Sequence, residues 1–464
     1  MSNVITPARL SQILTTPLWH GCEKQGEIPV KGITTDSRHL KPGEIFLALS
    51  GERFDGHQFV EPAIATGAVC AIVDSKFAAA HPQWPLLGVN DTLAAYHTIA
   101  HWWRQQFTIP IIGVTGSVGK TTTKELIAAL LSTQGNVLKT QANYNNEIGV
   151  PKTLLQLSSN HDYAVIEMAM RGRGEIALLS QMAAPTVGVI TNVGTAHIGR
   201  LGSEEAIAQA KCELLAEMPN DAVAILNHDN SRLIDTAASL WSGKTLTYGL
   251  MGGELTGKLI DSQTLRVEGI DLKLPLPGSH NALNFLAALA VWKIIRGENT
   301  PPPRLYQPLK TGLNVVLPEG RAKRYNLDND IVILDETYNA GLESMKAALK
   351  LLAETPGKRR IAVLGTMKEL GEKSVEFHHQ IGQQIHQLKL DALFILAEIP
   401  EATAMATGAA GLPLIKIEDI ASDNAHQTLT QQLIEFIKPG DRLLFKASHS
   451  VGLNQVVKQL RTVF

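Results

Sequence analysis

A glycine loop between an apolar run and a helical pattern constrains this chain more than any other stretch. Residues Ile109 to Val114 are apolar apart from Pro110 and Gly113, and read as a buried parallel strand. Leu126, Ile127, Leu130 and Leu131 then recur on one helical face, and the pattern stops at Gly135. Between them stands Thr115-Gly116-Ser117-Val118-Gly119-Lys120-Thr121-Thr122. Glycines let backbone N–H groups converge on phosphate oxygens, and a helix N-terminus adds partial positive charge. Lys120 adds a full charge, and the Thr121 hydroxyl suits Mg²⁺. The strict pattern would need glycine at 114, where Val114 stands, yet strand, loop and helix occur in the required order. The loop is expected to bind a nucleoside triphosphate.

At 464 residues the chain has room for two to four domains of ~100–200 residues each. A hydrophobic content of 44% supplies an ample core, and a formal net charge of −2 gives no electrostatic reason to expect nucleic acid. Cys22, Cys70 and Cys212 lack metal-type spacing and fit reduced thiols in a cytoplasm. Met1 to Leu10 lacks a basic-then-apolar signal, and no apolar run approaches the ~20 residues of a membrane span. The expectation is a cytoplasmic α/β protein without membrane insertion.

The pattern divides the chain at about residues 106 and 312. In residues 1–106, strand-like pieces (Ile45 to Leu49, Ala68 to Val73) alternate with helix-like ones (Val60 to Thr66, Thr92 to Phe107). The loop Asp36-Ser37-Arg38 fits either a nucleotide contact or a solvated turn, as does Gly51 to His57. In residues 107–312, Gln141 to Pro151 is dense in side-chain amides, among them Asn143, Asn145 and Asn146; capping and substrate contact both account for it. The strand Tyr163 to Met168 carries Glu167 near its C-terminal end, where a carboxylate reaches Mg²⁺ beside phosphates. A third strand, Thr186 to Ile190, leads to His197, and parallel sheets gather their sites at such ends. The helix from Ser203 to Met218 has Lys211 inside its apolar stripe of Ile207, Ala210, Leu214 and Met218. That lysine either snorkels to solvent or faces the site, as a phosphate contact or as a modified, charge-inverted metal ligand. Residues 253–276 alternate as an antiparallel extension, and Gly278 opens a helix whose Asn281 and Asn284 lie one turn apart. Thr300 to Pro303 is expected to begin a linker. Residues 313–464 restart strand–helix alternation as a smaller doubly wound domain, with Asp335-Glu336 ending its first strand. His378, His379 and His386 are expected on a solvated helix face.

These segments resemble the Mur ligases of peptidoglycan synthesis over nearly the whole chain. The likeness lies in TTDSR (Thr34–Arg38), GERFDGH (Gly51–His57), GVTGSVGKTTTKE (Gly113–Glu125), NYNNEIGVPKTLL (Asn143–Leu155) and VIEMAMRGRGEI (Val165–Ile176). It continues in TNVGTAHIGRLGS (Thr191–Ser203), GSHNALN (Gly278–Asn284), EGR (Glu319–Arg321) and DETYNA (Asp335–Ala340). The resemblance implies three domains: a small N-terminal α/β domain (1–106) for a UDP-sugar, a central ATPase sheet (107–312) and a C-terminal Rossmann-like domain (313–464). It implies ATP and Mg²⁺ as cofactors, with Thr121 and Glu167 on one ion, and His197 and a carbamylated Lys211 on a second. Asn281 and Asn284 would contact adenine, while Arg321 and Asp335 would close the C-terminal domain on ATP. Ser37, Arg38, Asn143, Asn145, Asn146, Tyr338 and Asn339 would contact substrates. NYNNEIGVP and DETYNA imply the branch that joins D-alanyl-D-alanine to UDP-N-acetylmuramoyl-tripeptide through an acyl phosphate. A monomer is expected, although no motif bears on it.

Three positions depart from the family pattern, all in the C-terminal domain. Gly341-Leu342 replaces a common Asn-Pro, Thr366 stands where Asp is frequent, and Lys446-Ala447-Ser448-His449 replaces Lys-Gly-Ser-Arg. The rival readings are a relative that adds a single amino acid and a folylpolyglutamate synthase. The first lacks its Asp-Asn-Pro-Arg motif here, and the second would not need residues 1–106. A nucleotide switch would carry a guanine-reading Asn-Lys-x-Asp, which is absent.

Overall fold

A computed structural model describes residues 4–16, 25–51, 54–297, 300–310 and 312–464; Met1, Cys22 and the pair Glu52-Arg53 lie outside them. Strand Ile111–Thr115 is buried on both faces and sits inside a nine-stranded sheet. From one edge the order is Ile270–Lys273, Thr264–Val267, Leu255–Asp261, Lys244–Gly249, Val223–Asn227, Val187–Ile190, Ile111–Thr115, Tyr163–Glu167 and Val137–Lys139. The pairings among the last seven are parallel, and the first three strands form the antiparallel extension.

Alternation along each strand feeds two cores, because successive side chains point to opposite faces. Ile112, Val114 and Val165 pack beneath helices Lys120–Leu131 and Ser279–Arg296 through Ile127, Leu131, Phe285 and Leu289. Ile111, Ile166 and Ile190 pack beneath helices Glu175–Ala183 and Glu204–Ala216 through Leu179, Ile207 and Leu214. Full burial of each such side chain is worth roughly 1.5–3 kcal/mol. The two cores, not the polar loops, therefore hold the sheet. Ser203 caps the helix Glu204–Ala216 by accepting from the Ala206 N–H (3.1 Å).

The N-terminal sheet is parallel, in the order Ile33–Thr34, Ile45–Leu47, Ala71–Asp74, Leu86–Val89. The C-terminal sheet runs Lys323–Leu327, Ile331–Glu336, Asp441–Lys446, Arg359–Gly365, Ala392–Ala397, Ile415–Asp419, and only its first pairing is antiparallel. The last strand in sequence thus lies between the second and third, which makes a switch point at the strands' C-terminal ends, where such folds bind ligands.

Two expectations are corrected. The segment after Thr300 is not a plain linker: Pro302–Leu305 forms a short helix, and Leu305, Tyr306 and Leu309 are buried in the central core. Trp292 donates its indole N–H to the Leu305 carbonyl (3.1 Å), which ties the segment down. His378 is not solvated. Its side chain is fully buried, with Nδ1 donating to the Ser374 carbonyl (2.7 Å) and Nε2 accepting from the Met367 N–H (2.9 Å). Helix Ile399–Gly408 covers that face at backbone distance, since a Cβ on Gly382 would lie 2.0 Å from the Met405 carbonyl oxygen.

Candidate functional site

The glycine loop is held in shape by the segment after strand Val187–Ile190. Ser117 N–H donates to the Asn192 carbonyl (3.0 Å), Val118 N–H to Asn192 Oδ1 (3.0 Å), and Thr191 Oγ1 to the Val118 carbonyl (2.6 Å). Gly116 adopts φ +147°, and a Cβ there would stand 1.9 Å from Thr191 Oγ1. Gly119, at φ +82°, lets Asn284 approach the helix N-terminus. Gly116→Ala therefore combines a left-handed backbone with a collision and should destabilise the loop by roughly 1–3 kcal/mol. Titration with an ATP analogue should show binding lost while the circular dichroism stays near wild type; undiminished affinity would mean that this loop does not carry the nucleotide.

Four expected residues cluster at the loop. Lys120 Nζ folds back on the Gly116 and Ser117 carbonyls (2.7 and 3.3 Å), and burial lowers its ammonium to about 8. Thr121 Oγ1 and Asn145 Nδ2 both donate to Glu167 Oε1 (3.1 and 2.8 Å). Glu167 Oε2 is buried without a hydrogen bond, 3.7 Å from Lys124 Nζ. An orphaned carboxylate oxygen beside a hydroxyl fits a hard divalent cation. Lys211 is 2% exposed, so it does not snorkel, and among the described residues it has no hydrogen bond or ion pair. Burial, then the charge of Lys120, pushes its amine well below the usual lysine value. His197 lies in the left-handed region (φ 67°), and burial holds it down to about 4, a neutral imidazole near both lysines.

Four cavities surround this cluster. One of 260 Å³ lies between the central and C-terminal sheets and is lined by Ser117 to Thr122, Asn281, Asn284, Arg321, Tyr338, Asn339 and Lys446. Asn281 and Asn284 are joined (3.3 Å), and Thr123 Oγ1 donates to Asn284 Oδ1 (3.3 Å). Arg321 stacks 3.9 Å from the Tyr338 ring centroid, and on the other side of this pair a 530 Å³ cavity is lined by Asn143, Asp335, His449 and Arg461. A third, of 310 Å³, joins Asn143, Asn145, Asn146 and His197. The fourth, of 650 Å³, joins Ser37 and Arg38 to Asn143, Asn146 and Lys152. Arg38 is held there by Asp36 through two 2.8 Å contacts, which lower that carboxyl below its usual range. Asn146 also accepts from the Gly149 N–H (2.9 Å), so capping and cavity lining coexist in one residue.

Some placements differ from the expected groupings. Asp335 lines the 530 Å³ cavity and is absent from the 260 Å³ one, where Glu336 stands instead. Adjacent strand residues face opposite ways, so one acid of the pair goes to each side. Asn339 lines the 260 Å³ cavity, whereas Tyr338 lines both. Lys446, which the sequence reading left without a role, is buried and donates to the Asn339 carbonyl (2.9 Å), 3.8 Å from Glu336; burial lowers its ammonium. Glu343 was missed, and its carboxylate accepts from the Thr195 N–H and hydroxyl (2.7 and 3.2 Å) across the two sheets. No motif marked it, because the contact joins residues far apart in sequence.

Taken together, Lys120, Arg321 and Lys446 gather positive charge where a polyanion would sit, next to orphaned carboxylate oxygen. Comparison with known proteins agrees. Residues 29–99 match the description "Mur ligase family, catalytic domain", 114–292 "Mur ligase middle domain", and 320–449 "Mur ligase, glutamate ligase domain". A UDP-N-acetylmuramoyl-tripeptide–D-alanyl-D-alanine ligase of Synechocystis is 56% identical across 94% of this chain and 92% of its own. MurF from Acinetobacter baumannii superposes with a TM-score of 0.86 at 30% identity, over 99% of both chains. MurF ligase from Thermotoga maritima, solved in complex with ADP, gives 0.81 at 29% identity, over 93% of this chain and 97% of that one. With three matching regions and a whole-length relative at this identity, the chain belongs to the Mur ligase family.

Proposed function

We propose that this chain is the ATP-dependent ligase that joins D-alanyl-D-alanine to UDP-N-acetylmuramoyl-tripeptide. The observation that carries it is the identity of 56% over 94% of the chain to a ligase of that name. The cavities support it. The 260 Å³ cavity at the glycine loop suits ATP, and the 650 Å³ cavity at Arg38 suits the UDP-sugar. Asn143 lines the other three cavities, which supports a contact from it to the tripeptide. In this reading residues 1–106 hold the nucleotide-sugar, 107–312 the ATP, and 313–464 the acceptor.

The tripeptide's terminal carboxylate attacks the γ-phosphorus of ATP, releasing ADP and forming an acyl phosphate. The dipeptide amine then displaces phosphate and loses a proton, leaving a new peptide bond. Lys120 neutralises charge on the transferring phosphoryl group, which is how preorganised cations lower such barriers. Arg321 and Tyr338 shut the cleft from the C-terminal side, and excluding water protects the acyl phosphate from hydrolysis. Thr121 and Glu167 would hold one Mg²⁺, for which the orphaned Glu167 Oε2 is suited. Lys211, as a neutral amine, would add CO₂ and release a proton to become a carbamate, and with His197 would hold a second ion. Mg²⁺ supplies charge neutralisation and orientation of the phosphates.

The reading places the enzyme in the cytoplasm as a monomer. Cys70 and Cys212 are buried. Among the described residues no helix is long and apolar enough to cross a membrane. Phosphate release from ATP and UDP-N-acetylmuramoyl-tripeptide, measured with parallel acceptors, tests the function. D-alanyl-D-alanine should support turnover at least ~10²-fold above single D- or L-amino acids, diaminopimelate or glutamate, because a site built for two residues leaves polar groups unpaired with one. Strong turnover with a single amino acid would move the chain to another branch of the family.

A further inference from the structure

Two non-glycine residues in the left-handed region, His197 (φ 67°) and Glu369 (φ 65°), face each other across the boundary between the central and C-terminal sheets. Such backbone persists only where its surroundings enforce it, and it concentrates at functional positions. Here the enforcing contact is close. The Gly199 N–H donates to the Glu369 carbonyl (3.2 Å), and a Cβ on Gly199 would stand 2.6 Å from the Gly371 nitrogen. Glu369 Oε2 reaches 2.6 Å from His197 Nδ1, and Oε1 lies 3.6 Å from Arg200. The first contact has ion-pair distance without hydrogen-bond alignment, and Nδ1 has no other partner among the described residues. Misaligned bonds of this kind tighten when an active site fills.

We propose that Glu369 is a positioning residue for His197, delivered by the C-terminal domain when it docks. The proposal rests on the reading of His197 as a cation ligand. A neutral imidazole carries one N–H, and a carboxylate at Nδ1 draws it there, which leaves the Nε2 lone pair for the site. The ring's other surroundings are the 310 Å³ cavity with Asn145 and the amines of Lys120 and Lys211. Glu369 comes from a different sheet, so the correct tautomer forms only in the docked arrangement. Glu343, on the same side, grips Thr195 two residues earlier and brings the loop into register. Docking of the acceptor domain thereby completes the catalytic cation site, and ATP is not spent before the domain arrives.

The test uses the full chain with uniformly ¹⁵N-labelled histidine, and His197 is identified by its loss in His197→Asn. Wild type should show the proton on Nδ1, and Glu369→Ala should show a tautomer mixture or a proton on Nε2. In the same variant kcat should fall roughly 10–100-fold, the usual cost of removing such a partner, with KM for ATP within about twofold of wild type. Glu369→Gln is nearly isosteric and still accepts an N–H, so it should recover the tautomer and part of the rate. A wild-type tautomer in Glu369→Ala, or a kcat within twofold of wild type, overturns the proposal. The tautomer is read without substrates, so failure of the acceptor assay would unsettle the function while leaving this result standing.

Discussion

Lys120→Ala lowers turnover by at least about 10³-fold while the protein stays folded. The magnitude is that of removing a preorganised charge from a phosphoryl-transfer site. Lys120 opens the helix Lys120–Leu131, and its ammonium is held by two carbonyls of its own loop. A phosphate oxygen is a stronger partner than either carbonyl, because the bond is charge-assisted at both ends. The folded state loses little, since the surrounding core is built from Ile112, Ile127 and Leu131 and not from this side chain. Steady-state phosphate release and thermal unfolding, measured side by side, separate the two effects. Turnover within tenfold of wild type in a folded Lys120→Ala would show that the loop has another role.

Replacing Lys211 has an equally large effect and a distinctive cure. The proposed carbamate on Lys211 predicts that Lys211→Ala is inactive, and that short carboxylic acids entering the vacated space partly restore activity. Lys211→Arg stays inactive, because a guanidinium supplies no anion. The structure supports this through an energetic oddity: an amine 2% exposed with no partner among the described residues. A buried unpaired ammonium is costly, so the group is held neutral, and the neutral amine is the form that adds CO₂. Protein equilibrated with ¹³C-bicarbonate should show a carbamate resonance that Lys211→Ala lacks. A fully active Lys211→Arg would mean that position 211 needs only positive charge, or none.

Much of the architecture was legible because its signals are local. The strand before the loop, the helix after it and the cap at Ser203 rest on periodicity and turn chemistry within about 20 residues. Lys211 stood out because a charge interrupted an apolar stripe. His378 was misplaced for the converse reason. Its own helix reads as amphipathic, and nothing nearby in sequence announces that Gly382 and Gly408 let a second helix cover it. The segment after Thr300 reads as a linker from its prolines, yet it is pinned by a contact from Trp292. The edge strands Lys323–Leu327 and Ile415–Asp419 are only partly buried, so they carry no strong apolar pattern.

The sequence by itself determined that this chain binds phosphates on a parallel sheet, and which short segments carry chemistry. Those properties follow from residue types at fixed spacing along one stretch of backbone. Only the tertiary structure decided how the segments meet. It sent Asp335 and Glu336 to different cavities, placed Lys446 beneath Asn339, and set Glu343 and Glu369 against the loop from Thr195 to Arg200. These are contacts between residues 100 or more positions apart, fixed by sheet order and by how closely glycine backbones let two domains approach. No local pattern encodes such distances, because they depend on the packing of everything between.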